Sequence, residues 1–128
     1  MSYEIKSPIL GFENMMNVEI KDTDEMFSTM YDAKNKDISF TIVNPYILRE
    51  YSFDVPTDVR ILLEIKDNSN LSVYNITLIQ NPLESSTINF LAPIIVNNDN
   101  KRIAQIVLSK ERHPNFGMLE SIESFGKK

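Results

Sequence analysis

The chain has 128 residues, 42% of them hydrophobic, with no cysteine, one histidine and a formal net charge of -5. That length suits one domain with one sizeable core, and the missing thiols exclude disulfide frameworks, thiolate nucleophiles and thiolate metal sites, so a reducing compartment is expected. The acidic balance sets the long-range field against phosphate backbones and towards basic surfaces.

In chain order, Met1–Lys6 lacks the basic and apolar regions of a signal peptide, which predicts no secretion by that route. Tyr3–Lys6, Val18–Lys21, Met26–Tyr31, Ser39–Val43 and Tyr51–Val55 read as short strands, each bounded by Gly, Pro, Asn or Asp. The pattern changes in Pro56–Ile65. There Thr57 or Asp58 can accept from the free amides of a first helical turn, and Leu62 and Leu63 are good helix formers, so a short helix plugging one barrel end is expected. Leu71–Ile79 is again extended. Thr87–Asn97 and Arg102–Leu108, parted by the polar Asn98-Asp99-Asn100-Lys101, read as the two arms of a β-hairpin. Asn89, Pro93, Asn97 and Gln105 interrupt these apolar arms, and because each weakens a plain strand they point to a surface built for contact. In the tail, 109–128, Asn115 can cap a second helix with Met118, Leu119, Ile122 and Phe125 on one face and Gly126 stopping it. Packing of that tail on its own barrel is the plain expectation, and a docking or gating element the sharper one.

No repeat, low-complexity tract or domain linker is present, and the longest apolar run, Phe90–Val96, is far below the roughly 20 residues of a membrane-crossing helix. A membrane partner is not expected. Many short strands and few helical segments predict an all-β single domain over 1–128. Its expected form is a small antiparallel β-barrel or sandwich of about eight strands with one or two short helices.

Catalytic chemistry is hard to place. His113 stands alone before Pro114 and cannot assemble a structural zinc set without cysteine. No Gly-x-Ser-x-Gly elbow occurs, and Gly11, Gly117 and Gly126 are too far apart to form a phosphate-cradling loop. Asp22, Asp24 and Glu25 lack the oxygen spacing of a calcium loop and read as a solvated turn. Asn75-Ile76-Thr77 matches the glycosylation pattern but lies in a predicted strand, and is taken as accidental. The chain is therefore expected to be a binding module, not an enzyme, with no cofactor or metal.

The order Gly11-Phe12, Phe40-Thr41-Ile42-Val43-Asn44-Pro45, Tyr51, Thr87-Ile88-Asn89-Phe90-Leu91-Ala92-Pro93-Ile94-Ile95-Val96-Asn97 and Gln105-Ile106-Val107-Leu108 resembles the flagellar assembly factor FliW family. The likeness spans roughly residues 5 to 108, and its most specific piece is the Asn-(two apolar)-Ala-Pro-Ile run leading to Asn97 and on to Gln105. After Leu108 the resemblance is silent. It implies a cytoplasmic regulator with a small β-barrel-like fold and two protein partners. One is a CsrA-type translational regulator, a basic dimer that represses flagellin messenger RNA; the other is flagellin before export. Free FliW-like protein would bind CsrA and relieve repression, whereas accumulated flagellin would occupy it and leave CsrA free to repress.

Within these motifs Asn44, Tyr51, Asn89, Pro93, Asn97 and Gln105 are the candidate partner-binding residues. Each has a structural explanation beside the functional one. Gly11 supplies a backbone bend. Asn44-Pro45 ends a strand, and Ala92-Pro93 suits an edge or bulge that a partner strand can join. The amides of Asn89, Asn97 and Gln105 either satisfy neighbouring backbone groups or present donors to a partner, and Tyr51 suits either job. Phe12, Phe40 and Phe90 are read as core. Two rival classes are a barrel binding RNA directly through Tyr46, Tyr51 and Tyr74, and a carrier or enzyme using the barrel interior for a small ligand. An interior filled with Ile, Leu and Phe is favoured over the second, and the acidic charge disfavours the first.

Overall fold

The structure, a computed structural model, describes residues 2–23, 25–79, 82 and 85–121. Among these, the chain forms nine strands in one sheet: β1 (Ser2–Ser7), β2 (Asn17–Asp22), β3 (Phe27–Asp32), β4 (Ser39–Val43), β5 (Leu71–Leu78), β6 (Thr87–Ile88), β7 (Ile94–Asn97), β8 (Arg102–Gln105) and β9 (Glu120–Ser121). A 3-10 turn (Pro45–Ile47) and one short helix, α1 (Thr57–Leu62), fill the connection between β4 and β5. Seven of the strands close on themselves in the order β4-β3-β2-β1-β8-β7-β5, with β5 returning to β4. The expected all-β barrel is thus found. It is not wholly antiparallel, because β1 and β8 run parallel, with a bulge at Lys6 between the pairs Ile5↔Ile103 and Ser7↔Ala104.

Alternation along the strands builds two apolar layers on the two sides of the wall. Inward residues, including Val18, Met30, Ile42, Ile94, Val96 and Ile103, form a core closed by Ile9 and Met15, with Tyr3, Ile5, Tyr74 and Ile76 packed against it. Among the described residues the inner face is packed with apolar side chains. Outward residues of β7 and β8, Ile95 and Ala104, meet Val59 and Leu63 of the α1 segment. Beside them Tyr51, Phe90, Leu91 and Phe116 form a third cluster. All four residues of β7 are therefore buried, which is why its sequence is a continuous apolar run instead of an alternating one. Each fully buried Ile, Val or Phe contributes about 1.5–3 kcal/mol.

Four expectations change. Tyr51–Val55 keeps the alternating burial of an extended chain, but it pairs with no strand among the described residues and serves as cover over the outer layer. The helix starts at Thr57 with Pro56 at its N-cap and no side-chain cap there, and Asp58 accepts from the Val59 amide of the first turn as expected. It lies against the barrel wall instead of plugging an end. The hairpin is β7–β8, turning through Asn98–Lys101 with Lys101 at φ 60°, while Thr87–Ile88 leaves it to pair with β5 and β9. Near the tail, residues 115–119 form turns and bends, and Glu120–Ser121 is a strand where a helix was expected; the expected helical residues Ile122 and Phe125 and the stop at Gly126 lie outside the described residues. The cause at Glu120 is tertiary: its backbone joins the edge of β6 and its carboxylate is held by Arg49.

Candidate protein-interaction site

The residues singled out from sequence form two kinds of internal brace. Tyr51 is 6% exposed; its hydroxyl donates to the Phe90 carbonyl and accepts from Asn75 Nδ2 at 3.2 Å. Burial pushes its phenol up to about 12, against the opposing pull of the Asn75 bond, so the donor proton is in place at neutral pH. Asn97, 1% exposed, donates to the Leu63 carbonyl at 2.8 Å and accepts from the Asp99 amide at 3.0 Å, tying the β7–β8 turn to the end of α1. Gln105, 8% exposed, donates to Ala92 O at 3.1 Å and accepts from Leu10 N at 2.8 Å. Pro93 is buried, and its carbonyl accepts from Ile106 N, so the first arm stays beside the second past the end of the regular ladder. Asn89 and Asn44 are half-buried and accept from the amides two residues on, Leu91 and Tyr46. Asn75, buried in β5 with its amide nitrogen donating to the Asn89 carbonyl, is closed to glycosylation in the fold.

The exposed apolar surface lies elsewhere, at a seam in the barrel. The β4–β5 ladder runs from Val43↔Asn75 to Thr41↔Thr77 and stops there, while on its other edge β5 pairs with β6 through Thr77↔Ile88 and Leu78↔Thr87. Ser39 and Phe40 on one side and Leu78 and Ile79 on the other are left facing a hollow of about 500 Å³. Phe12 forms its rim, tilted on Phe40 with ring centroids 4.8 Å apart. Phe12 is 39% exposed, so it is a rim residue and not part of the core as expected; Phe40 is half-buried and Phe90 fully buried. Gly11 supplies the bend that carries Phe12 there, at φ +87° with open space around it.

A second hollow of about 230 Å³, lined by Ile76, Leu78, Thr87, Asn89, Met118 and Leu119, shares Ile76 and Leu78 with the first. The two make one groove. Leu78, Met118 and Leu119 are 57%, 61% and 73% exposed. Thr77 and Thr87, which line it, have buried hydroxyl oxygens with no hydrogen-bond partner among the described residues. A continuous exposed apolar surface has the make-up of a protein-binding groove. Of the expected residues only Asn89 lines it; Asn44 and the buried four do not.

Direct RNA stacking finds little support. Tyr46 is 54% exposed, but Tyr51 is buried and Tyr74 packs on the barrel core, so the three tyrosines form no shared platform. His113 stacks on Phe116 with centroids 5.2 Å apart, and no group of metal-ligating side chains occurs among the described residues. Exposed acids do gather on the cover segment, at Glu50, Asp54 and Asp58.

The FliW protein family model matches residues 2–116. Flagellar assembly factor FliW 2 of Wolinella succinogenes is 47% identical over 125 residues, covering 98% of this chain and 92% of its own. Flagellar assembly factor FliW 1 of the same organism is 44% identical over 127 residues, 99% of each chain, and flagellar assembly factor FliW of Sulfurimonas denitrificans is 41% identical over 128 residues, the whole of both. A crystal structure of the flagellar assembly factor FliW superposes with a TM-score of 0.87 at 19% identity, covering 99% of this chain and 87% of that one, which places the fold. With the family model spanning nearly all of the chain and relatives matching over 92% or more of their length, this barrel belongs to the FliW family of flagellar assembly factors.

Proposed function

We propose that the protein acts in the cytoplasm as a partner switch, binding flagellin before export and a CsrA-type translational regulator, and that it does so without catalysis. The observation that carries this reading is the groove along β5, an exposed apolar surface on a barrel whose inner face is packed with apolar side chains. It suits an amphipathic helix, which lays an apolar stripe into such a groove, and the terminal segments of flagellin have that character. The exposed acids of the cover segment, Glu50, Asp54 and Asp58, supply the surface for a basic dimer, raising encounter rate in a salt-dependent way. Whatever one partner does to the affinity of the other is returned equally by linkage. Among the sequence-derived candidates, Asn89 lines the groove and is assigned to contact, while Asn44, Tyr51, Pro93, Asn97 and Gln105 act by holding backbone in place.

Titration of the full chain with a flagellin terminal peptide and, separately, with a CsrA-type dimer tests this. Leu78→Asp is expected to weaken peptide binding at least tenfold, about 1.4 kcal/mol, and to leave dimer binding intact. Asp54→Lys with Asp58→Lys is expected to do the reverse. Binding of neither partner by the unaltered protein overturns the function.

A further inference from the structure

Met118 and Leu119, the most exposed apolar side chains at the groove, sit on a turn that is stapled from behind. The Gly117 amide donates to Glu120 Oε2 at 2.6 Å, closing the four-residue turn. Arg49 then grips the same carboxylate with Nη1 3.2 Å from both oxygens, and its Nη2 donates to the Asn115 carbonyl at 3.4 Å. Its guanidinium lies over the rings of Phe90 and Phe116, 5.1 and 4.8 Å from their centroids. Gly117 is part of the device: a Cβ there would stand 3.0 Å from Glu120 Cγ, so any larger residue would push the folded-back side chain away by a few tenths of an ångström. The turn is also anchored at both ends, by Phe90 N–H to Gly117 O and by the pairing of Glu120 with Ile88.

We propose that Arg49 and Glu120 are positioning residues for the groove, fixing the Gly117–Glu120 turn so that Met118 and Leu119 form a rigid wall against the amphipathic helix of the partner. This rests on the groove reading given above. Neither Arg49 nor Glu120 lines the groove. The ordering of two exposed apolar side chains before binding removes an entropic cost from association, and loss of that order is felt chiefly in the dissociation rate. An exposed ion pair would have little such leverage; this one is 19% and 23% exposed, with Nη1 shared between both carboxylate oxygens and the guanidinium backed by two rings.

The test is a double-mutant cycle on the full chain, read as association and dissociation rates for a flagellin terminal-helix peptide. Met118→Ala with Leu119→Ala should weaken binding tenfold or more. Arg49→Gln should raise the dissociation rate about tenfold with the association rate nearly unchanged, and Arg49→Lys should recover part of the loss, since lysine restores the charge but not the fork. Gly117→Ala should give an intermediate effect. The deciding result is coupling: in the Met118→Ala/Leu119→Ala background Arg49→Gln should cost almost nothing further. An equal Arg49→Gln effect in both backgrounds, or none in either, overturns the positioning role while the groove stands. No effect of the alanine pair overturns the groove and the positioning together, and an alanine pair that alters only self-association reassigns the surface to a second copy and overturns both.

Discussion

Gln105→Met separates internal bracing from partner contact at a residue for which sequence alone allows either. Methionine keeps the length and volume of the side chain but removes the donor to Ala92 O and the acceptor for Leu10 N, both held now at 3.1 and 2.8 Å. A buried backbone group left without a partner costs about 1–3 kcal/mol. The Ala92 side is buried and pays in full, whereas Leu10 is 59% exposed, so water can take over much of its amide bond. The expected loss is about 2–3 kcal/mol, or roughly 1–1.5 M in urea midpoint at an m-value of about 2 kcal/mol/M, with m itself unchanged. Urea unfolding followed by circular dichroism gives the midpoint, and a titration with flagellin peptide well below it gives the affinity of the folded fraction. That affinity should equal the wild-type value. A loss below about 0.5 kcal/mol would refute the bracing argument, and intact stability with weakened binding would make Gln105 a contact residue.

Tyr51→Phe should destabilise by about 1–3 kcal/mol, because the Phe90 carbonyl and the Asn75 amide both lose the hydroxyl. With the phenol raised from 10.0 to about 12 in the fold, its contribution is whole below about pH 10 and is lost as pH rises towards 12, so an alkaline melting series should show a decline over that window which Tyr51→Phe removes. Gly11→Ala meets no atom within 4 Å, yet its φ of +87° is strained for alanine, and a stability loss of about 1–2 kcal/mol in thermal unfolding is expected. Affinity for a CsrA-type dimer, measured by calorimetry between low and physiological salt, should fall as salt rises; a flat response would remove the role of Glu50, Asp54 and Asp58.

Sequence by itself determined what is local. Short runs bounded by Gly, Pro, Asn or Asp located β1 to β5, because residues that favour turns mark where a strand ends whatever its neighbours are. Composition removed the thiol and phosphate-loop chemistries, and the ordered run from Asn89 to Gln105 pointed to the family. Tertiary structure decided pairing and direction. Tyr51–Val55 carries a strand pattern without a strand partner, and the parallel β1–β8 contact has no local signature. The amides of Asn97 and Gln105 are compatible with either face of their strands until the carbonyls of Leu63 and Ala92 arrive beside them. Phe12 reads as core until the bend at Gly11 carries it to the rim of the seam. The groove exists because the β4–β5 ladder ends at Thr41↔Thr77, short of Phe40 and Leu78, and its wall is held by an arginine and a glutamate 71 residues apart. Separations of that kind are closed only by the fold, since a side chain's partners are set by which backbone segments the core brings together.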